Sequence, residues 1–99
     1  MAGFRLKQMK AFALCETIYN QDGNIESYEV ICAGEIRSWE ALKDLLYDYY
    51  QRTYMGNSQY EVIWSEVPGA YGFLVRDRRL DYTVADVDVL ITDLCQIAI

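Results

Sequence analysis

The longest helical pattern in the sequence covers residues 38–55, SWEALKDLLYDYYQRTYM. At 3.6 residues per turn, its apolar and aromatic side chains gather on one side of a helix. That side contains Trp39, Leu42, Leu46, Tyr49, Tyr50 and Thr53, with Leu45 at its margin. Ser38 suits the N-cap, and Gly56 follows the last turn where a C-cap residue is expected. The pattern therefore predicts an amphipathic helix whose apolar side closes the core.

The opposite side of this predicted helix is acidic. Glu40, Asp44 and Asp48 recur at intervals of four residues and so form one row on the helix surface. The same projection places Tyr47 and Tyr54 at the edge between this acidic row and the core. Tyrosine offers a large amphipathic contact area and is enriched in protein interfaces. These five residues are the candidate protein-interaction surface; simple edge packing with solvated hydroxyl groups is the open alternative.

A first β-hairpin is predicted before the helix, from residues 9–19 and 25–36 around Asp22-Gly23. Asp-Gly between two β-prone runs is a strong signal for a tight turn. A two-residue loop would set Glu16 directly opposite Glu29, and like charges facing each other across two strands destabilise a sheet. We therefore expect a longer loop with a shifted register; the alternative is that the two carboxylates share an exposed acidic face.

A second hairpin is predicted after the helix, from residues 59–67 and 70–77 around Pro68-Gly69. Its register is self-consistent, because apolar residues face apolar residues and opposite charges face each other. The pairs are Trp64 with Phe73, Val62 with Val75, Ile63 with Leu74, and Glu61 with Arg76. The period of two then places the aromatic and valine side chains of both strands against the helix.

The segment 83–99 is compatible with a helix or a strand. Its apolar residues follow helical spacing, whereas Val87, Val89 and Ile91 also fit a strand and β-branched residues favour one. We expect a helix. The predicted fold is a single α+β domain over residues 1–99 in the order ββαββα, a four-stranded, mostly antiparallel sheet with helices packed on one face.

The composition narrows the class of protein. The chain has 99 residues and a net charge of −6, so it is poorly suited to binding a nucleic-acid backbone directly. There is no apolar run of about 20 residues and no secretory h-region near the start. The three cysteines are widely spaced and sit among apolar residues, which is typical of reduced thiols. We expect a cytoplasmic protein without a membrane partner.

The sequence contains no histidine, which removes the usual general base at neutral pH and the His-ligated metal sites. It also lacks CxxC pairs and a glycine-rich phosphate loop. A Glu16–Glu29 carboxylate pair is suited to acid–base chemistry, but nothing nearby in sequence supplies a substrate pocket. We therefore expect no enzymatic activity, no catalytic residues, no metal and no cofactor.

A secondary candidate patch consists of Arg76, Arg78 and Arg79. Arginine forks beside Tyr71 and Tyr82 have the right chemistry for a phosphate or nucleotide. The alternative is that Arg76 pairs with Glu61 and the other two arginines belong to a charged strand end and loop.

These features predict a small acidic, non-enzymatic protein-binding module whose partner presents a basic surface. In size and charge the chain resembles small acidic inhibitors carried by phages and mobile elements, anti-CRISPR proteins among them. That resemblance implies occupation of the basic groove of a nucleic-acid-handling enzyme. The alternative is a homo-oligomeric structural or accessory protein, such as a homodimer. A weaker alternative is a small-ligand or nucleotide sensor that uses the arginine patch.

Overall fold

The structure is a computed structural model that describes residues 10–36, 38–67 and 70–93. Its elements, in chain order, are β1 (Lys10–Tyr19), β2 (Ile25–Ile36), α1 (Trp39–Thr53), β3 (Tyr60–Val67), β4 (Ala70–Asp77) and β5 (Tyr82–Asp93). The strands form one antiparallel sheet in the spatial order β2-β1-β5-β4-β3. The α+β fold is confirmed, but the described residues show five strands and one helix in the order ββαβββ.

The helix predicted over residues 83–99 is wrong for residues 83–93, which belong to strand β5; the rest of that prediction lies outside the described residues. β5 is the middle strand of the sheet and pairs with β1 on one side and β4 on the other. Its β-branched residues are stiff at χ1 and pack well on a pleated surface. Ala85, Val87 and Val89 are buried beneath α1. Two rows of backbone hydrogen bonds and this burial override the helical spacing.

The first hairpin has a longer loop, as expected, but its register is not the expected one. The loop spans residues 20–24, and the Asn20 side chain accepts hydrogen bonds from the backbone N–H groups of Asp22 and Asn24. An irregularity in the β1–β2 pairing between Ile18 and Tyr19 absorbs the extra length, so Glu16 still lies opposite Glu29. The prediction that a longer loop would separate these two carboxylates is wrong.

The second hairpin confirms the predicted register over its whole length. All four predicted cross-strand pairs between β3 and β4 are present, including Trp64 with Phe73. The rings of Trp64 and Phe73 both lie close to Tyr50 of α1, with centroids 5.5 and 6.1 Å away. This side of the hairpin therefore packs against the helix, as the alternation of side chains predicts.

Helix α1 begins as predicted, since the hydroxyl group of Ser38 accepts a hydrogen bond from the Ala41 N–H at 3.2 Å. Leu42 and Leu46 are fully buried against the sheet. Thr53, predicted on the core side, is exposed. Among the described residues, no helix combines the length and the apolar character needed to cross a membrane.

Tyr54 departs from its predicted place at the edge of the acidic row. It is only 8% exposed and lies in the core, with its ring centroid 5.9 Å from that of Phe73. The reason is that the helix ends at Thr53 and Tyr54 has a non-helical backbone, so the helical projection no longer applies to it. Tyr54 therefore cannot be part of an exposed interaction surface.

Candidate functional site

The predicted acidic row lies on the exposed side of α1. Glu40, Asp44 and Asp48 are all exposed. Asp48 forms an exposed ion pair with Arg52 at 3.1 Å, an i, i+4 contact of the kind that contributes little to stability. Within the part of the chain that the structure describes, Glu40 and Asp44 form no ion pair. Their charges are thus available to a partner.

A groove of about 350 Å³ runs beside the acidic row, between α1 and the β3–β4 hairpin. We call it the aromatic groove; it is lined by Lys43, Asp44, Leu46, Tyr47, Trp64, Ser65 and Tyr71. Asp44 belongs to both the groove and the acidic row. The two features therefore form one continuous surface, which combines carboxylates with exposed aromatic rings.

Tyr47 and Trp64 supply the accessible aromatic surface of this groove. They are 49% and 39% exposed, and their ring centroids are 6.3 Å apart. Trp64 is held from behind by Phe73, whose centroid is 4.8 Å away, and from the side by Tyr50. The tryptophan is therefore fixed in place before any partner arrives, which lowers the entropic cost of binding.

The other end of the groove is already occupied by contacts within the chain. The ammonium group of Lys43 lies 5.7 Å from the centroid of the Tyr71 ring, a cation–π arrangement. The ring of Trp39 also packs against the ring of Tyr71, with centroids 5.2 Å apart. This leaves Asp44, Tyr47 and Trp64 as the groups best placed to receive an external side chain. An aromatic wall beside a carboxylate suits a cation with an apolar stem.

Glu16 is the centre of a buried network that the sequence did not reveal. The hydroxyl group of Tyr49 donates to Glu16 Oε1 at 2.8 Å, and that of Tyr54 donates to Oε2. Burial, followed by the hydrogen bond to Glu16, raises the pKa of Tyr49 to about 12 and raises the pKa of Tyr54 as well. The network joins the C-terminal end of α1 to β1. Its carboxylate is buried under the end of α1, whereas Glu29, its cross-strand partner on the same face of the sheet, is exposed on the edge strand β2.

Most side chains of the arginine patch contact groups in or near the β4–β5 turn. Arg76 pairs with Asp81, and not with Glu61 as the sequence alternative proposed, although Glu61 lies opposite it in the sheet. The guanidinium group of Arg78 donates to the backbone carbonyl of Tyr60 at 3.3 Å. Two of the three arginine side chains therefore have structural contacts, and Arg79 lies in the same turn, where its backbone N–H donates to Asp77 Oδ1 at 2.9 Å.

The described residues bring together no group of three Cys, Asp or Glu side chains that could hold a metal ion. Comparison of the chain with protein-family models, with curated proteins and with solved structures found no match.

Proposed function

We propose that this protein is a small, non-enzymatic protein-binding module that contacts a basic partner through the acidic row and the aromatic groove. The observation that supports this most is that the exposed Asp44 carboxylate lines the same groove as the exposed rings of Tyr47 and Trp64, with Glu40 one helical turn before Asp44. Tryptophan, tyrosine and arginine are the residues that dominate binding energy in protein interfaces.

An arginine of the partner fits the groove best. Its planar guanidinium group would stack on Tyr47 or Trp64, while its N–H groups reach the carboxylate of Asp44. Glu40 and Asp48, one turn away on either side, would attract neighbouring basic residues. Long-range attraction between the acidic row and a basic surface makes association fast and sensitive to salt.

The partner class that suits this chemistry is a nucleic-acid-handling enzyme whose substrate groove is basic. A row of carboxylates placed over such a groove competes with the phosphates that normally bind there. The proposed role is that of an inhibitor of the phage or mobile-element type, similar in action to anti-CRISPR proteins.

A second candidate function is self-association through a sheet edge. β2 is a 12-residue edge strand, and its residues 25–30 are all exposed. An exposed edge presents unpaired N–H and C=O groups that a second copy can pair with. Light scattering on the pure protein separates the candidates, because edge pairing gives a dimer or larger assembly without any partner.

The test of the main proposal is affinity capture from a lysate of the source organism or its host. The wild type is compared with the triple variant Glu40→Lys/Asp44→Lys/Asp48→Lys at low and moderate salt. A matched control, Asp22→Lys/Glu26→Lys/Glu35→Lys, makes the same change in charge at exposed positions outside α1.

We expect the wild type and the control to retain the same basic protein, with release at moderate salt, and the helix variant to lose it. Tyr47→Ala should weaken the purified complex about 10-fold or more, as expected for a central aromatic contact. Equal loss of binding in both triple variants would show that net charge alone matters and would contradict the proposed site.

A further inference from the structure

The face of the sheet opposite α1, here called the outer face, carries a second distinctive surface. Cross-strand partners share a face, so the pairings of β5 place Asp86 beside Leu74 and Asp88 beside Gly72 and Cys15 on this side. The described part of the chain places no further element over it. Several large apolar side chains of the outer face are exposed: Tyr28, Val30, Ile63, Leu74 and Leu90.

A trough of about 330 Å³ follows β4 and β5 along this face. Gly72 forms part of its floor, because a Cβ atom at this position would collide with the backbone of β5 next to Asp88. Leu74 and Leu90 rise beside it, and Leu90 is 55% exposed. The trough is thus a depression with apolar sides and carboxylates along its length.

The carboxylates in the trough lack a counter-charge within the described residues. Among residues 10–36, 38–67 and 70–93, neither Asp86 nor Asp88 forms an ion pair, and Arg76, farther along β4, pairs with Asp81. Burial raises the pKa of both aspartates, and their mutual repulsion adds to the effect at Asp86. Two partly desolvated negative charges on an exposed apolar face are unfavourable in the free protein and become favourable when a cation covers them.

We propose that the outer face docks an extended segment of a partner protein in which basic and apolar residues are mixed, with a lysine or arginine lying in the trough against Asp86 and Asp88. The apolar stem of such a side chain would contact Leu74 and Leu90, and its charged head would meet the carboxylates. Charge complementarity favours this occupant over a second copy of the chain, since face-to-face packing of two copies would bring four carboxylates together. This surface is separate from the acidic row and lies on the other side of the sheet.

The test uses the full-length, ¹⁵N-labelled protein and two synthetic peptides of equal length, one alternating leucine with lysine and the other alternating leucine with glutamate. We expect the lysine peptide to cause saturable shifts in the amide signals of Leu74, Asp86, Asp88 and Leu90. Asp86→Asn/Asp88→Asn should weaken its binding at least about 10-fold. Glu40→Gln/Asp44→Gln should leave the titration curves of these four amide signals unchanged, which separates the outer face from the surface proposed on α1.

Three results would overturn the proposal. The first is equal binding of the glutamate peptide, or shifts confined to α1. The second is a dimer of the free protein, seen by light scattering, whose contacts map to the outer face. The third is a change in the outer-face signals of the free protein on Arg5→Gln/Lys7→Gln. These are the charged side chains of residues 1–9, MAGFRLKQM, and such a change would assign the face to that segment of the chain.

Discussion

Removing one hydroxyl group, with Tyr54→Phe, tests how α1 is fixed to the sheet. The variant keeps the ring in the core, where its centroid lies 5.9 Å from that of Phe73 and 6.0 Å from that of Tyr60. It removes only the donor to Oε2 of Glu16. Because Glu16 is 8% exposed, water reaches this oxygen poorly and cannot replace the lost donor well.

The expected cost follows from the chemistry of the lost bond. A hydrogen bond to a charged group contributes about 1.5–3 kcal/mol, and a buried acceptor left without a donor falls in the same range. We therefore expect Tyr54→Phe to lower the free energy of unfolding by about 2 kcal/mol. Tyr49→Phe should cost about 1 kcal/mol, because Tyr49 is only half-buried and water can partly replace its hydroxyl group.

The double variant Tyr49→Phe/Tyr54→Phe leaves the buried carboxylate with neither tyrosine donor. Breaking the last contact of a buried charge costs about 3–5 kcal/mol. A domain of 99 residues has a total stability of about 5–15 kcal/mol, so the double variant should be only marginally folded.

Urea denaturation followed by tryptophan fluorescence and circular dichroism measures these losses. The unfolding midpoint should fall with little change in the m-value. Tyr47→Phe is the matched control, since Tyr47 is half exposed, and it should change stability by less than about 0.5 kcal/mol. If Tyr54→Phe costs no more than this control, the Glu16 network does not hold the helix and the reasoning is wrong.

Four further perturbations have defined outcomes. Because the pKa of Tyr49 is raised to about 12, its neutral hydroxyl group stabilises the fold fully below pH 10, and this stabilisation is lost as the pH rises toward about 12. Tyrosinate absorbance and the loss of the circular dichroism signal should therefore increase together above pH 10. Hydrogen bonds from the Leu80 N–H and the Gln59 side chain lower the pKa of Asp77. In thermal unfolding, Asp77→Asn should therefore be less stable than the wild type above pH 3.8, and the difference should vanish on further acidification. Asp86→Asn/Asp88→Asn should raise the melting temperature at neutral pH, because burial favours the protonated form of both carboxyl groups. The difference in melting temperature should shrink as the pH falls toward 3.8. A lower melting temperature of the variant at pH 7 would contradict this account of the two carboxylates. Gly72→Ala should cost about 1–3 kcal/mol in urea denaturation by forcing β4 away from β5, and an unchanged midpoint would show that the strands adjust freely.

The elements that could be predicted from the sequence are those that local patterns determine. The start of α1 follows from the Ser38 N-cap and the apolar stripe behind it, which are local signals, whereas the helix ends at Thr53, before the predicted residue 55. The β3–β4 register follows from apolar and charge pairing across a short turn. β5 could not be predicted in this way, since its apolar residues fit both periods and its partners β1 and β4 decide between them.

The same distinction between local patterns and long-range contacts applies to the candidate site. The acidic row could be predicted because three carboxylates on one helix depend only on helical geometry. The aromatic groove could not, since it needs Trp64 and Tyr71 brought from two strands to the side of Tyr47. Tyr54 was misplaced because a helical projection assumes that the helix continues, and the outer-face aspartates were hidden by the helix prediction for β5.

The position of β5 also has a consequence for how the chain folds during synthesis. The β1–β2 and β3–β4 hairpins do not pair with each other; β5, the last described strand to leave the ribosome, joins them. Until β5 is synthesised, β1 and β4 each have an unpaired edge. The β1–β5 pairing is complete only when Asp93 pairs with Lys10, 83 positions earlier in the chain. Pairing β5 with β1 over so long a stretch of chain is entropically costly and slow. In the meantime two strand edges with unpaired backbone groups stay exposed. A nascent chain that stalls before β5 would therefore be a substrate for chaperones and for aggregation.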